Sequence, residues 1–169
     1  MTPQFFLERP VRWLEAIARH RGSISGAPDF AYRLCVERVK DGAIAGLDLS
    51  SWRVAFSGAE PVRHDTLRAF VERFAPARFD ARSVFPCYGL AEATLFVSGA
   101  TRGQGLRAQV FSAEALAQGR AEHGAGGDAV TLVSSGRVPA GQRVELVDPQ
   151  TLAVCADGQV GEKIGRAHV

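Results

Sequence analysis

Two short segments of the chain combine residue types that could shape a ligand site. Ser57-Gly58-Ala59-Glu60-Pro61 closes a predicted strand at 52–57. Its glycine and alanine leave the backbone open to close approach by a flat ring. Tyr88-Gly89-Leu90-Ala91-Glu92 closes a second predicted strand around Val84 and Phe85. There Tyr88 offers an aromatic face, Gly89 permits a sharp turn, and Glu92 offers a hard oxygen ligand. Magnesium takes such a ligand together with substrate phosphates. A helix from about Leu90 would put Glu92 near its start, where the macrodipole favours a carboxylate by about 0.3–1 kcal/mol. Acidic residues in first helical turns are more often plain surface electrostatics, so pattern alone favours that reading over metal binding.

Both segments need a scaffold, and the apolar periodicity describes one. Val11, Leu14, Ile17 and Ala18 predict a helix that opens at Pro10 and stops at Gly22. Phe30, Ala31, Leu34 and Val39 follow Pro28 as a second helix, and Leu67, Phe70, Val71 and Phe74 sit at i, i+3, i+4 and i+7 of a third. Two successive strand–turn–helix units predict an α/β fold with a parallel sheet and helices packed on it. Ligands of such sheets bind beyond the carboxyl ends of the strands. Trp13 and Trp52 are expected to be packing anchors. Between residues 100 and 127 the chain becomes glycine-rich, with a short predicted helix near 112–117, and reads as a connection or insertion. Beyond it, 130–133, 144–147 and 152–154 read as strands joined by Asp148-Pro149 and Asp157-Gly158 turns. A β-rich subdomain is therefore expected over 128–162.

Composition excludes several classes of function. The chain is 46% apolar and 22% charged, which suits a packed core and not a disordered segment. A net charge of +2 leaves no electrostatic footprint for nucleic acid. Cys35, Cys87 and Cys155 lie far apart and show neither a disulfide framework nor a zinc spacing. Reduced thiols and a cytoplasmic location are the expectation. No apolar run approaches the length of a membrane span.

Several blocks carry a resemblance. Tyr88-Gly89-Leu90-Ala91-Glu92-Ala93-Thr94-Leu95 resembles the signature of fatty-acyl-AMP ligases, a branch of the adenylate-forming superfamily that includes acyl-CoA synthetases. Residues 49–62, ending Ser57-Gly58-Ala59-Glu60-Pro61-Val62, resemble the preceding block, and Ser25-Gly26-Ala27-Pro28-Asp29-Phe30-Ala31-Tyr32 the one before that. Residues 144–149 and Gly158-Gln159-Val160-Gly161-Glu162 resemble later β-rich blocks, in order.

The resemblance implies part of the large N-terminal domain of an adenylate-forming enzyme, with residues 1–99 as the βα portion of its AMP-binding domain. It implies a reaction that joins a fatty carboxylate to ATP, giving acyl-adenylate and pyrophosphate. In that frame Gly58, Ala59, Glu60 and Pro61 border the adenine of ATP, and Tyr88 stacks on it. Gly89 and Leu90 shape the turn near the α-phosphate, Glu92 holds Mg2+, and Phe30 and Tyr32 border the acyl pocket. Attack by the substrate carboxylate needs no enzyme nucleophile, so no catalytic residue is assigned and the histidines and cysteines are read as surface or packing residues. An acyl carrier protein is one acceptor the resemblance allows. An acyl-CoA synthetase or amino-acid adenylation domain, or a truncated binding module, is the alternative. Ala91 stands where much of the superfamily has Thr, and Asp29 where this branch commonly has Asn. The phosphate loop, the ribose-binding Asp and the terminal-domain Lys of the family have no counterpart here, so the chain is expected to be an internal fragment, inactive alone. Lys163-Ile164-Gly165-Arg166-Ala167-His168-Val169 breaks the resemblance. It is also the translation of a common sequencing-library adapter, and 163–169 is expected to be a non-native tail.

Overall fold

Three parallel strands set the position of the site. In the computed structural model, which describes residues 1–164, β1 (Ile24–Ala27), β2 (Val54–Ser57) and β3 (Val84–Tyr88) lie side by side and point the same way. β4 (Ser98–Gly99) adds antiparallel to β3, giving the order β1-β2-β3-β4. The predicted parallel α/β sheet is therefore present.

Helices α1 (Pro3–Glu8), α2 (Val11–His20), α3 (Asp29–Arg38), α4 (Asp41–Ile44) and α5 (His64–Phe74) accompany the sheet. Two of them turn apolar stripes inward: Trp13, Leu14 and Ile17 from α2, Leu67, Phe70 and Phe74 from α5. Helix α2 stops at Arg21, which adopts a left-handed conformation while Gly22 donates to the Ile17 carbonyl. The strands alternate as a pleat requires. Ala55, Ser57, Val84 and Pro86 are buried, whereas Val54, Phe56, Phe85 and Cys87 on the opposite face are partly or largely exposed.

An aromatic cluster fills the buried side. The rings of Trp13, Tyr32, Trp52, Phe70 and Phe79 meet edge to face at centroid separations of 5.0–6.1 Å, except Tyr32 and Trp52, which stack at 6.4 Å; such pairs add about 0.5–1.5 kcal/mol each beyond area burial. The indole N–H of Trp52 donates to the Ser25 and Val54 carbonyls, and that of Trp13 to Ser25 Oγ. Each buried polar atom of the cluster thus keeps a partner. Both tryptophans are the anchors expected of them.

Three features differ from expectation. No helix follows β3. A single 3-10 turn, Ala91–Ala93, is ended by Thr94 and Leu95, both in the left-handed region, and the chain doubles back into β4. Two consecutive left-handed residues cannot continue a right-handed helix, so the apolar run after Leu90 misled the periodicity. Second, 100–127 is not plain connection. The short helix expected near 112–117 is present as α6 (Ala113–Ala117), but β5 (Ala108–Ser112) precedes it and pairs antiparallel with β6 (Ala129–Val133) across residue 128. Third, 152–154 forms a turn and not a strand. The Asp148 carboxylate accepts from the Gln150 and Thr151 amides, and Leu152 is left-handed, leaving one bridge from Val154 to Val147. β7 (Glu145–Val147) pairs with β8 (Glu162–Ile164), so Lys163 and Ile164 lie in a strand, while residues 165–169 of the expected tail fall outside the described residues.

Candidate functional site

A cleft of about 540 Å³ opens at the carboxyl ends of β1, β2 and β3 and extends down the face of the sheet that the helices leave uncovered. Gly26, Ala27 and Pro28 come from the end of β1, Gly58 and Ala59 from the end of β2, and Cys87 through Ala91 from the end of β3. Leu95 and Phe96 close one side, and Val54, Phe56 and Phe85 make the floor. The position is the one that parallel-sheet topology dictates.

Gly58 is small out of necessity. A β-carbon there would sit 2.6 Å from the Cys87 carbonyl oxygen. Ala59 beside it is left-handed at φ 65° and exposed, a conformation that costs a residue with a β-carbon about 1–2 kcal/mol. Strain of that kind is held only where the surroundings over-determine the backbone. Two carboxylates tie down the backbone on either side of this cleft edge. The Phe30 amide donates to Glu60 Oε1 at 2.6 Å, and the Arg63 amide donates to Asp29 Oδ1 at 2.9 Å. Asp29 is buried and turned into this contact, which resolves how an acid is tolerated next to the cleft.

Tyr88 is 42% exposed and presents its ring at the cleft wall. The Lys163 ammonium lies 5.4 Å from the ring centroid, within reach of a cation–π attraction. Gly89 is packed directly under the Leu95 carbonyl, with which a β-carbon would overlap. The Leu95 amide donates to the Leu90 carbonyl and the Val97 amide to the Tyr88 carbonyl, so backbone bonds tie the two ends of the 88–97 loop together. Glu92 sits on that loop, exposed to solvent. Its expected helix macrodipole is absent, because there is no helix. Among the described residues no group of three or more His, Cys, Asp or Glu is gathered to hold a metal. One exposed carboxylate suits a magnesium ion only in the form in which phosphate oxygens and water complete the shell.

The structure brings Gly58, Ala59, Tyr88, Gly89 and Leu90 together around one cleft. It places Glu60 and Pro61 on the rim, with the Glu60 carboxylate engaged by Phe30. Phe30 is 38% exposed and does not line the cleft. Tyr32 departs from expectation outright. It is fully buried among Trp13, Trp52 and Phe70, and its hydroxyl donates to the Phe56 carbonyl at 2.8 Å. On an α3 helix whose other face meets solvent, a residue two positions beyond Phe30 points away from it and into the core. Sequence reasoning missed the floor residues Val54, Phe56 and Phe85. The period-2 alternation within the predicted strands was the signal that could have found them.

Comparison with known proteins agrees with this geometry. The family model described as AMP-binding enzyme matches residues 1–164. A medium-chain-fatty-acid–[acyl-carrier-protein] ligase, TtuA of Teredinibacter turnerae, is 46% identical over all of the chain, and a 4-hydroxyphenylalkanoate adenylyltransferase of Mycobacterium tuberculosis is 42% identical over 96% of it. The chain spans 27% and 26% of those two proteins. A solved fatty acyl-adenylate ligase of Legionella pneumophila, in complex with acyl adenylate and pyrophosphate, superposes with a TM-score of 0.91 at 42% identity, over 96% of this chain and 29% of that one. With the parallel strand ends, the small residues that line them and this family match in agreement, the chain belongs to the AMP-binding enzyme family.

Proposed function

We propose that the chain is a segment of a fatty-acyl-AMP ligase, in which its cleft receives ATP and a fatty carboxylate and the whole enzyme forms acyl-adenylate and pyrophosphate. The observation that carries this reading is the cleft's two-part lining. At the strand ends Gly58, Ala59 and Tyr88 make a narrow wall of small and aromatic residues, suited to a flat purine. Below them Val54, Phe56 and Phe85 make an apolar floor, suited to an acyl chain. The carboxylate of the acid and the α-phosphate then meet near the Gly89–Leu90 turn, where holding the two groups in line is most of the catalytic task.

Each residue has a role within that reading. Tyr88 stacks on the adenine, the Gly58–Pro61 backbone borders it, and Glu92 supplies one oxygen to Mg2+. The metal, when bound, neutralises charge that develops on the phosphates. Phe30 stands at the outer rim, and Tyr32 supports the sheet from behind. Relatives named as acyl-carrier-protein ligases support a carrier protein as the acceptor of the acyl group, and a cytoplasmic site of action accords with free, reduced cysteines. No helix among the described residues is long and apolar enough to cross a membrane.

ATP–pyrophosphate exchange in the longer ligase that carries this segment tests the proposal. Fatty-acid-dependent exchange is expected, and Glu92→Ala is expected to lower it by about 10²-fold or more at saturating Mg2+ without changing the melting temperature. Exchange that Glu92→Ala leaves unchanged removes the metal role. Product assays with and without coenzyme A separate an acyl-AMP ligase from an acyl-CoA synthetase.

A further inference from the structure

The loop between β2 and α5 and the start of α3 hold each other by reciprocal contacts. Helix α3 has Pro28 at its N-cap and no side-chain cap of its own, so its first amides need acceptors from elsewhere. Glu60, thirty positions along the chain, accepts from the Phe30 amide. In the other direction Asp29, 4% exposed, accepts from the Arg63 amide immediately before α5. Between the anchor points Glu60 and Arg63 lie Pro61 and Val62, and just ahead of them is the left-handed Ala59. Pro28, Gly58 and Ala59 all line the cleft. Each carboxylate therefore sits on one segment and fixes the other, and the strained wall residue lies at the edge of the ring they close.

We propose that Asp29 and Glu60 form a crossed clasp that sets the Gly58–Pro61 wall, which makes Asp29 a positioning residue for the nucleotide. It touches no substrate and acts through the Arg63 amide. The proposal rests on the nucleotide reading of the cleft given above. A buried carboxylate that loses its acceptor role leaves the Arg63 amide unpaired, a cost that falls on the loop and not on the aromatic cluster. The strained Ala59 then relaxes and the wall shifts.

Two measurements test it. In the longer ligase, Asp29→Ala is expected to raise KM for ATP about tenfold while kcat changes less than about twofold, because the chemistry-facing loop at 88–97 is untouched. Asp29→Asn keeps an acceptor oxygen and is expected to restore KM to within about twofold. A fall in kcat at constant KM, or no change in either, overturns the positioning role. In the same ligase, amide hydrogen exchange reads the clasp directly. Asp29→Ala is expected to speed exchange at Phe30 as well as at Arg63, and Glu60→Ala at Arg63 as well as at Phe30. Changes confined to the directly bonded amide mean two independent caps and no clasp. If the unaltered ligase shows no exchange of pyrophosphate, the functional reading falls, and the crossed exchange effect alone decides the clasp.

Discussion

Residues 1–99 and residues 100–164 are packed to different standards. The first region holds Trp52, Tyr32, Phe70, Phe74 and Leu14 at 1% exposure or less. In the second, among the described residues, only Ala115 and Val147 are buried apolar side chains, while Val110, Val130 and Leu132 on β5 and β6 remain open to solvent. The first region is ordered by interlocking side chains, the second by backbone ladders and turns. Interlocked cores open cooperatively, whereas ladders with little apolar cover open locally at lower cost. The cleft, with its left-handed Ala59, is built on the first region.

The sharpest way to break this comparison is to remove one large side chain from each region. Trp52→Ala is expected to cost about 3–5 kcal/mol in denaturant unfolding, since it empties the centre of the cluster and orphans two carbonyl contacts. Val147→Ala is expected to cost about 1–2 kcal/mol. Equal costs would mean that the second region is packed as firmly as the first.

A smaller effect is expected at the loop that backs the cleft. Gly89→Ala must push the Leu95 carbonyl away, at about 1–3 kcal/mol, and the amides of Leu95 and Val97 are expected to exchange faster. Unchanged exchange at those amides would show that the loop accommodates a methyl group and that its geometry is softer than the close contact implies.

The smallest effect concerns pH. Burial pushes the Cys35 thiol from 9.0 up to about 12, and burial likewise raises the Tyr32 hydroxyl, with Cys35, Cys87 and Asp29 adding to the shift. The unfolded thiol ionises first, so this contribution is fully present below the unfolded value and is lost as pH rises between 9.0 and about 12. A loss of about 1 kcal/mol is expected by about pH 10, measured as a falling denaturation midpoint. Thiol labelling should follow the same division, fast at half-buried Cys155 and slow at Cys35. Rapid labelling of Cys35 in native conditions would sink the claim of a tightly closed first region.

Much of the first region was legible because its signals are local. Helical stripes at Leu67, Phe70 and Phe74, the stop near Gly22 and the two strand-ending motifs each depend on a few neighbouring residues. The cleft wall followed from topology once the strands were placed. What could not be read was set by long-range partners. The apolar stretch after Leu90 has helical composition, yet Gly89 and the Leu95 carbonyl pack it into a hairpin. Tyr32 stands in a block tied by resemblance to the acyl pocket, yet its ring belongs to a cluster assembled from three helices and the loop before β2. The pairing of β5 with β6 joins segments more than a dozen residues apart, which no local pattern announces.

The alternation along β2 carries a consequence for how such a protein can change over evolutionary time. Ala55 and Ser57 face the helices, and Val54 and Phe56 face the cleft. Neighbours one position apart thus answer to separate selection, one set to folding and the other to whatever lies in the cleft. A lineage can exchange Phe56 or Phe85 for other side chains without reopening the aromatic cluster behind the sheet. Proteins identical to this chain at 46% and 42% of aligned positions carry names for both medium-chain fatty acids and 4-hydroxyphenylalkanoates. A pleat that divides its duties in this way lets one scaffold be inherited intact while its preferences drift.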